Sequence, residues 1–312
     1  MKRLFTLLFL FLFTISAFAA EKKLEKLTVI LDWFPNPDHA PLIVAKEQGF
    51  FREQGLEVEL IGPADPTDPP KLVAANKADL GISYEPEFLQ YVDQGLPLIS
   101  IGTLIDKPLN CLVTLKDSGI KTLADLKGKR IGTGGGLTDI MLKAMLTKQG
   151  LSENDIELVN VHYNLTQSLM SKQITAVTGM MRNFEVAQLE FSGQKVNVFL
   201  PEENGIPNYS ELIFIANIKN IHDKRYPRFM TALKNAVAYL DKHPQETWKA
   251  FIKQYPESNN QVNHQAWFAT MPYFAEDPGN VEAEDWEKFA RFMQQHKLIK
   301  KLQPVSRYTA IV

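Results

Sequence analysis

Cysteine is all but missing from this chain: Cys111 is the only one among 312 residues. No intrachain disulfide can form, and no Cys/His cluster has the spacing of a metal site. Leu109, Leu112 and Val113 around it suggest a small buried hydrophobe, with a reactive thiol as the alternative. An excess of charge of either sign is missing too. The formal net charge is −2 with no basic block, which argues against a nucleic-acid partner. Beyond the first twenty residues no apolar run is long enough to cross a bilayer. Internal repeats and low-complexity segments are likewise absent there.

The first residues do carry a pattern. Lys2 and Arg3 precede the apolar run Leu4 to Phe13, and Ser16-Ala17-Phe18-Ala19 ends it with an Ala-x-Ala cleavage signature. That reads as a secretory signal over 1–19, cut so that the mature protein begins near Ala20. No Cys follows the cut, which excludes the usual bacterial lipoprotein anchor. The expectation is a free, soluble, periplasmic protein. About 290 residues then remain, a length that suits two packed domains.

Strand and helix signals alternate through the mature chain, which predicts an α/β fold with mainly parallel sheets. The stretch Leu27 to Gly55 holds the most information. Leu27 to Leu31 is short and apolar, as a buried parallel strand requires. Asp32-Trp33-Phe34 then runs into Pro35-Asn36-Pro37-Asp38, where two prolines stop the strand. Asp38 is the candidate N-cap of a helix from His39 to Gln48, closed by Gly49. A Trp at the carboxyl end of a parallel strand stands where open α/β sheets bind ligands, although core burial is the ordinary role of an aromatic.

Further strands are predicted at 56–61, 78–83, 98–104 and 110–115, and then at 130–133, 156–161, 176–178, 196–200 and 211–216. Helices fall between them, and from Asp223 onward the pattern is helical, over 225–241, 244–254 and 282–296. Crossing strands near residues 110 and 213 would give two lobes, 20–108 with 217–312 and 109–216. Their cleft would close on a ligand by hinge motion.

DWFPNPDHAPLIVAKEQGFF, NKADLGISY and LKGKRIG, with the signal, resemble the two-lobed (type II) periplasmic substrate-binding proteins of ABC importers. More narrowly the chain is similar to the branch that binds thiamine-pyrimidine precursors, related to the eukaryotic thiamine-pyrimidine synthases. The specific signature is Trp33-x-Pro35-x-x-x-His39 joined to Gly179-x-x-x-Asn183-x-Glu185. The resemblance implies a pyrimidine ligand of the aminomethyl or hydroxymethyl type, importer permease and ATPase subunits as partners, a monomer, and no cofactor. It implies that Asn183 and Glu185 face the aminopyrimidine and that Trp33 stacks on it. A carboxylate suits that ring, since it accepts from an exocyclic amine and can pair with a protonated ring nitrogen. The remaining candidates are Asn36 and His39 in the first turn, Ser83 and Tyr84 after the third strand, Arg182, and Tyr209. Gly135, Gly136 and Thr138 sit at a strand-to-helix turn able to hold an anion, or are simply a tight turn.

Two departures from the family bear on function. Met181 and Arg182 stand where the family carries Tyr and Trp. Arg182 then either meets an acidic substituent of the ligand or pairs with Glu185 or Glu190. In the synthases a reactive Lys and a His four residues on follow the strand matching ADLGIS; here Ser83 and Glu87 stand there. The synthases' cysteine-rich stretch is replaced by Asn204 to Tyr209. These changes argue for a receptor over an enzyme, and a receptor for another small anion, such as a sulfonate, is a third reading. His39, at a helix start, suits an orienting or structural role better than a catalytic one.

Overall fold

A computed structural model describes residues 23–135 and 137–312. The signal-like segment and Gly136 lie outside the described residues. The chain starts with β1 (Glu25–Ile30), α1 (Ala40–Glu47), α2 (Phe50–Glu53) and β2 (Leu56–Ile61). It continues through α3 (Pro69–Ala74), β3 (Leu80–Ser83), α4 (Glu85–Asp93) and β4 (Leu98–Ile105). A second series follows: β5 (Asn110–Leu115), β6 (Arg130–Thr133), α5 (Leu137–Lys148), β7 (Glu157–Asn160), α6 (Leu165–Met170), β8 (Ala176–Met181), α7 (Glu185–Phe191) and β9 (Val196–Phe199). Then come β10 (Leu212–Asn217), α8 (Arg225–Lys242), α9 (Pro244–Gln254), α10 (Gln261–Thr270), α11 (Ala283–Gln295) and α12 (Val305–Tyr308). Among the described residues no helix is long and apolar enough to cross a membrane.

The strands form two five-stranded sheets, ordered β2-β1-β3-β10-β4 and β7-β6-β8-β5-β9. Each contains one reversed strand: β10 runs antiparallel to β3 and β4, and β5 antiparallel to β8 and β9. Both reversed strands are the first that the chain lays down after crossing between sheets. β10 belongs to the first sheet, so the chain has returned by Leu212 and the boundary expected at 216 falls at the wrong end of that strand.

Helices cover both faces of the first sheet, which is why its strands carry apolar residues on both sides. On one face Phe51 stacks on Phe229 at 5.3 Å and Phe214 meets the same ring edge-on. On the other, Phe88 meets Trp286 edge-on. Cys111 is buried in the second sheet and its thiol donates to the Met180 carbonyl; burial pushes its pKa up. Glu211 ties the two crossings together. Its Oε2 accepts from the amides of Leu109 and Asn110 (2.6 and 2.8 Å) and from the Tyr209 hydroxyl.

Two local expectations are corrected. The chain after Pro37 forms a 3-10 turn over Pro37–His39 before α1, and Asn36, not Asp38, caps it: its side chain accepts from the Asp38 amide. Asp38 is thereby freed to point its carboxyl elsewhere. Helix α10 has no counterpart in the sequence expectations. Its carboxyl end leads into a segment seated on β4, where the Thr103 amide donates to the Pro278 carbonyl. A Cβ at Gly102 would stand 2.3 Å from that carbonyl oxygen and 2.8 Å from Met230 Cε. Gly102→Ala should therefore destabilise the fold by about 1–3 kcal/mol, read as a lower midpoint in urea.

Candidate ligand-binding site

The ends of several strands meet at one edge of each sheet, and a slot lies between those edges. Asp32 and Trp33 follow β1, and Tyr84 and Glu87 follow β3. From the facing sheet come Asn110 at the start of reversed β5, Gly134 and Gly135 after β6, and Met181, Phe184 and Glu185 after β8. Asn36, Asp38, Pro66, Leu165 and Gly179 complete the wall. This is the carboxyl-end crevice of an open α/β sheet, used twice. Its cavity volume is about 40 Å³. Gly179, at φ 90°, takes up a conformation that side chains disfavour and coincides with a register shift between β5 and β8.

Trp33 is held by both sides. Its ring meets Tyr163 edge-on at 4.4 Å, and Tyr163 in turn donates to the Pro63 carbonyl. The turn at Gly134 runs beside the indole, close enough that a Cβ there would be in van der Waals contact with it at 3.8 Å. The indole Nε1 has no hydrogen-bond partner. Glu185 is buried at the first residue of α7, and its Oε2 accepts from the Met181 amide at 2.8 Å. Burial raises its pKa to about 8, against that hydrogen bond, and the nearby Asp38 carboxyl adds to the rise. Asp38 is raised as well, chiefly by burial.

Asp32 is fixed from two directions. Tyr84 donates its hydroxyl to Oδ2 (2.7 Å) and His39 Nε2 lies 2.9 Å from Oδ1. The Asn36 amide donates to His39 Nδ1, which leaves Nε2 as the protonated nitrogen facing Asp32. His39 is fully buried, is not among the residues of the slot wall, and holds Asp32 in place.

Four other candidates also lie off the wall. Ser83 is buried with its hydroxyl unpartnered. Tyr209 faces a separate acidic cavity behind the crossings and donates to Glu211. Arg182 forms a two-pronged ion pair with Glu202 and donates to the Leu109 and Asn110 carbonyls, so it meets neither Glu185 nor Glu190. Asn183 is buried against Asp38 and Thr270. Gly136 and the side chain of Thr138 lie outside the described residues. Trp33, Asn36, Tyr84, Gly135 and Glu185 line the slot.

Reading the sequence missed the parts played by Asp32, Asp38, Glu87 and Asn110. Asp32 was only a strand break there and Asp38 a cap; the carboxyl-end rule, applied to every strand, would have flagged Glu87. Asn110 Nδ2 is buried without a partner. Four carboxyl groups thus line the slot, and among the described residues no Lys, Arg or His does. The described residues also hold no cluster of three or more His, Cys, Asp or Glu suited to a metal.

A family model described as NMT1/THI5 like matches residues 36–247. A Haemophilus influenzae protein named for thiamine biosynthesis is 48% identical over 286 residues, 91% of each chain. The formylaminopyrimidine-binding protein of Halalkalibacterium halodurans is 29% identical, over 91% of this chain and 89% of its own. Among solved structures, the alkanesulfonate-binding protein of Xanthomonas axonopodis pv. citri, bound to MOPS, superposes with a TM-score of 0.70. It is 17% identical, covering 90% of this chain and 96% of its own. At that identity the likeness shows the fold alone, that of the periplasmic binding proteins.

Proposed function

The chain belongs to the family described as NMT1/THI5 like, and from that premise we propose that it is a solute receptor for an amino-substituted pyrimidine precursor of thiamine. In this reading it works in the periplasm after loss of residues 1–19 and hands its ligand to the permease and ATPase subunits of an ABC importer. Its lobes are built on the two sheets. The observation that carries the reading is the carboxyl lining of the slot: buried Asp32, Asp38, Glu87 and Glu185 line it beside one indole. A flat ring bearing an exocyclic amine can donate its two amine protons to carboxyl oxygens of that wall and stack on Trp33. A sulfonate would face four carboxyl groups with no cation on the wall among the described residues, which argues against the anion receptor. The formylaminopyrimidine-binding relative supports the same ligand class.

The competing enzyme reading needs a reactive Lys and His, and Ser83 and Glu87 occupy the corresponding positions. The Ser83 hydroxyl is 1% exposed and off the slot wall, so it is poorly placed as a nucleophile. Purified protein given iron, pyridoxal phosphate and oxygen should form no pyrimidine in chromatographic assays. Stoichiometric formation of the pyrimidine would restore the synthase reading.

A further inference from the structure

We propose that Thr270 is a positioning residue of a latch, Asn183–Asp38–Thr270, that holds the two lobes closed. Asn183 follows β8 in the second sheet, Asp38 lies in the turn after β1, and Thr270 ends α10. All three are buried, Thr270 completely. The two amide protons of Asn183 are both taken: Nδ2 lies 2.5 Å from Asp38 Oδ1 and 2.6 Å from Thr270 Oγ1. The Thr270 hydroxyl closes the triangle, 3.1 Å from the same Asp38 oxygen and 2.8 Å from the Ala266 carbonyl. It accepts from Asn183 and keeps its single proton for one of those two oxygens.

This geometry removes Asn183 as a donor to a bound ring. It is a clasp between lobes instead, and its acceptors come from elements far apart in the chain. Helix α10 packs on both the 37–39 turn and α7, so it is the body that brings Thr270 to the junction. Opening the cleft must break both Asn183 bonds at once. The latch also offsets a cost of closure, since Asp38 and Glu185 bring two carboxyls to one small slot. None of this depends on which solute binds.

The test is the open–closed distribution of ligand-free protein, refolded to remove any co-purified solute. Spin labels on Glu57→Cys and Gln173→Cys, both exposed, report the distance between lobes, because Cys111 is buried and takes no label. Wild type should show a closed population, and Thr270→Val should reduce its closed-to-open ratio by roughly two- to tenfold, as loss of the neutral Asn183–Thr270 hydrogen bond between lobes implies. Thr270→Ser should restore it. Asn183→Ala should shift the ratio the same way, and the double variant by no more than the larger single shift. Thermal melts without ligand establish that each variant is folded; if Thr270→Val is not, Asn183→Ala carries the test. A folded variant with the wild-type distribution, or a wild type with no closed population, overturns the latch.

Discussion

Trp33→Ala should weaken binding of 4-amino-5-hydroxymethyl-2-methylpyrimidine by about 3 kcal/mol, roughly a hundredfold in Kd. Two losses combine. The first is the apolar surface on which a flat ring would stack. The second is the wedge between lobes: the indole meets Tyr163 at 4.4 Å and lies against Gly134. Closure draws its free energy from contacts made only in the closed state, so a solute's apparent affinity falls when any of them is removed. The variant should stay folded, because the indole is only half-buried and sits at the margin of the second sheet's core. Calorimetric titration and thermal melts separate the two roles. Unchanged affinity would move the ligand away from Trp33, and a collapsed melting temperature would make the indole a core residue.

Glu185→Gln should cost about 0.5–1.5 kcal/mol of affinity for the same pyrimidine, the range for a hydrogen bond between neutral groups, because closure leaves the Glu185 carboxyl protonated. It should also abolish a pH dependence. Burial lifts the Glu185 carboxyl from 4.5 to about 8 in the closed protein, whereas in the open cleft water returns it toward the ordinary value. Between those limits closure takes up a proton, so wild-type affinity should fall as pH rises from about 5 to about 8. Titration in two buffers of different ionisation enthalpy counts that proton directly. The same sign applies to stability, because the folded state keeps protons that the unfolded chain has lost. Glu85, raised chiefly by burial to about 8, and Glu211, raised to about 7, add to it. Melting temperature should therefore decline over that interval, and Glu185→Gln should shallow the slope. A pH-independent wild type would place Glu185 in contact with water in the bound state.

Much of the fold was legible in residue pattern because the strands are short apolar runs closed by Pro, Gly or Asp. β2 and β5 begin and end at the residues their pattern predicts. The helix α10 was not, since HQAWFAT mixes polar and aromatic residues without a clear helical stripe, and its burial comes from packing on the 37–39 turn, α7 and α9. The site was legible only in part. Trp33 and Glu185 carry motif spacing, but Asp38 looked like a cap because Asn36 and Asp38 are equally good caps in sequence. Only the structure shows which one bonds the turn. Arg182 stood beside the site in sequence, yet β8 ends by turning it outward to Glu202, 20 residues ahead, a pairing no local rule foretells.

A carboxyl-lined slot should select an amino-substituted pyrimidine over an anion. The direct measurement is a calorimetric competition on ligand-stripped protein, comparing 4-amino-5-hydroxymethyl-2-methylpyrimidine with an alkanesulfonate at pH 7. One pyrimidine should bind per chain with Kd of roughly micromolar or tighter, and the sulfonate should give no heat. Saturable sulfonate binding that the pyrimidine fails to displace would contradict it.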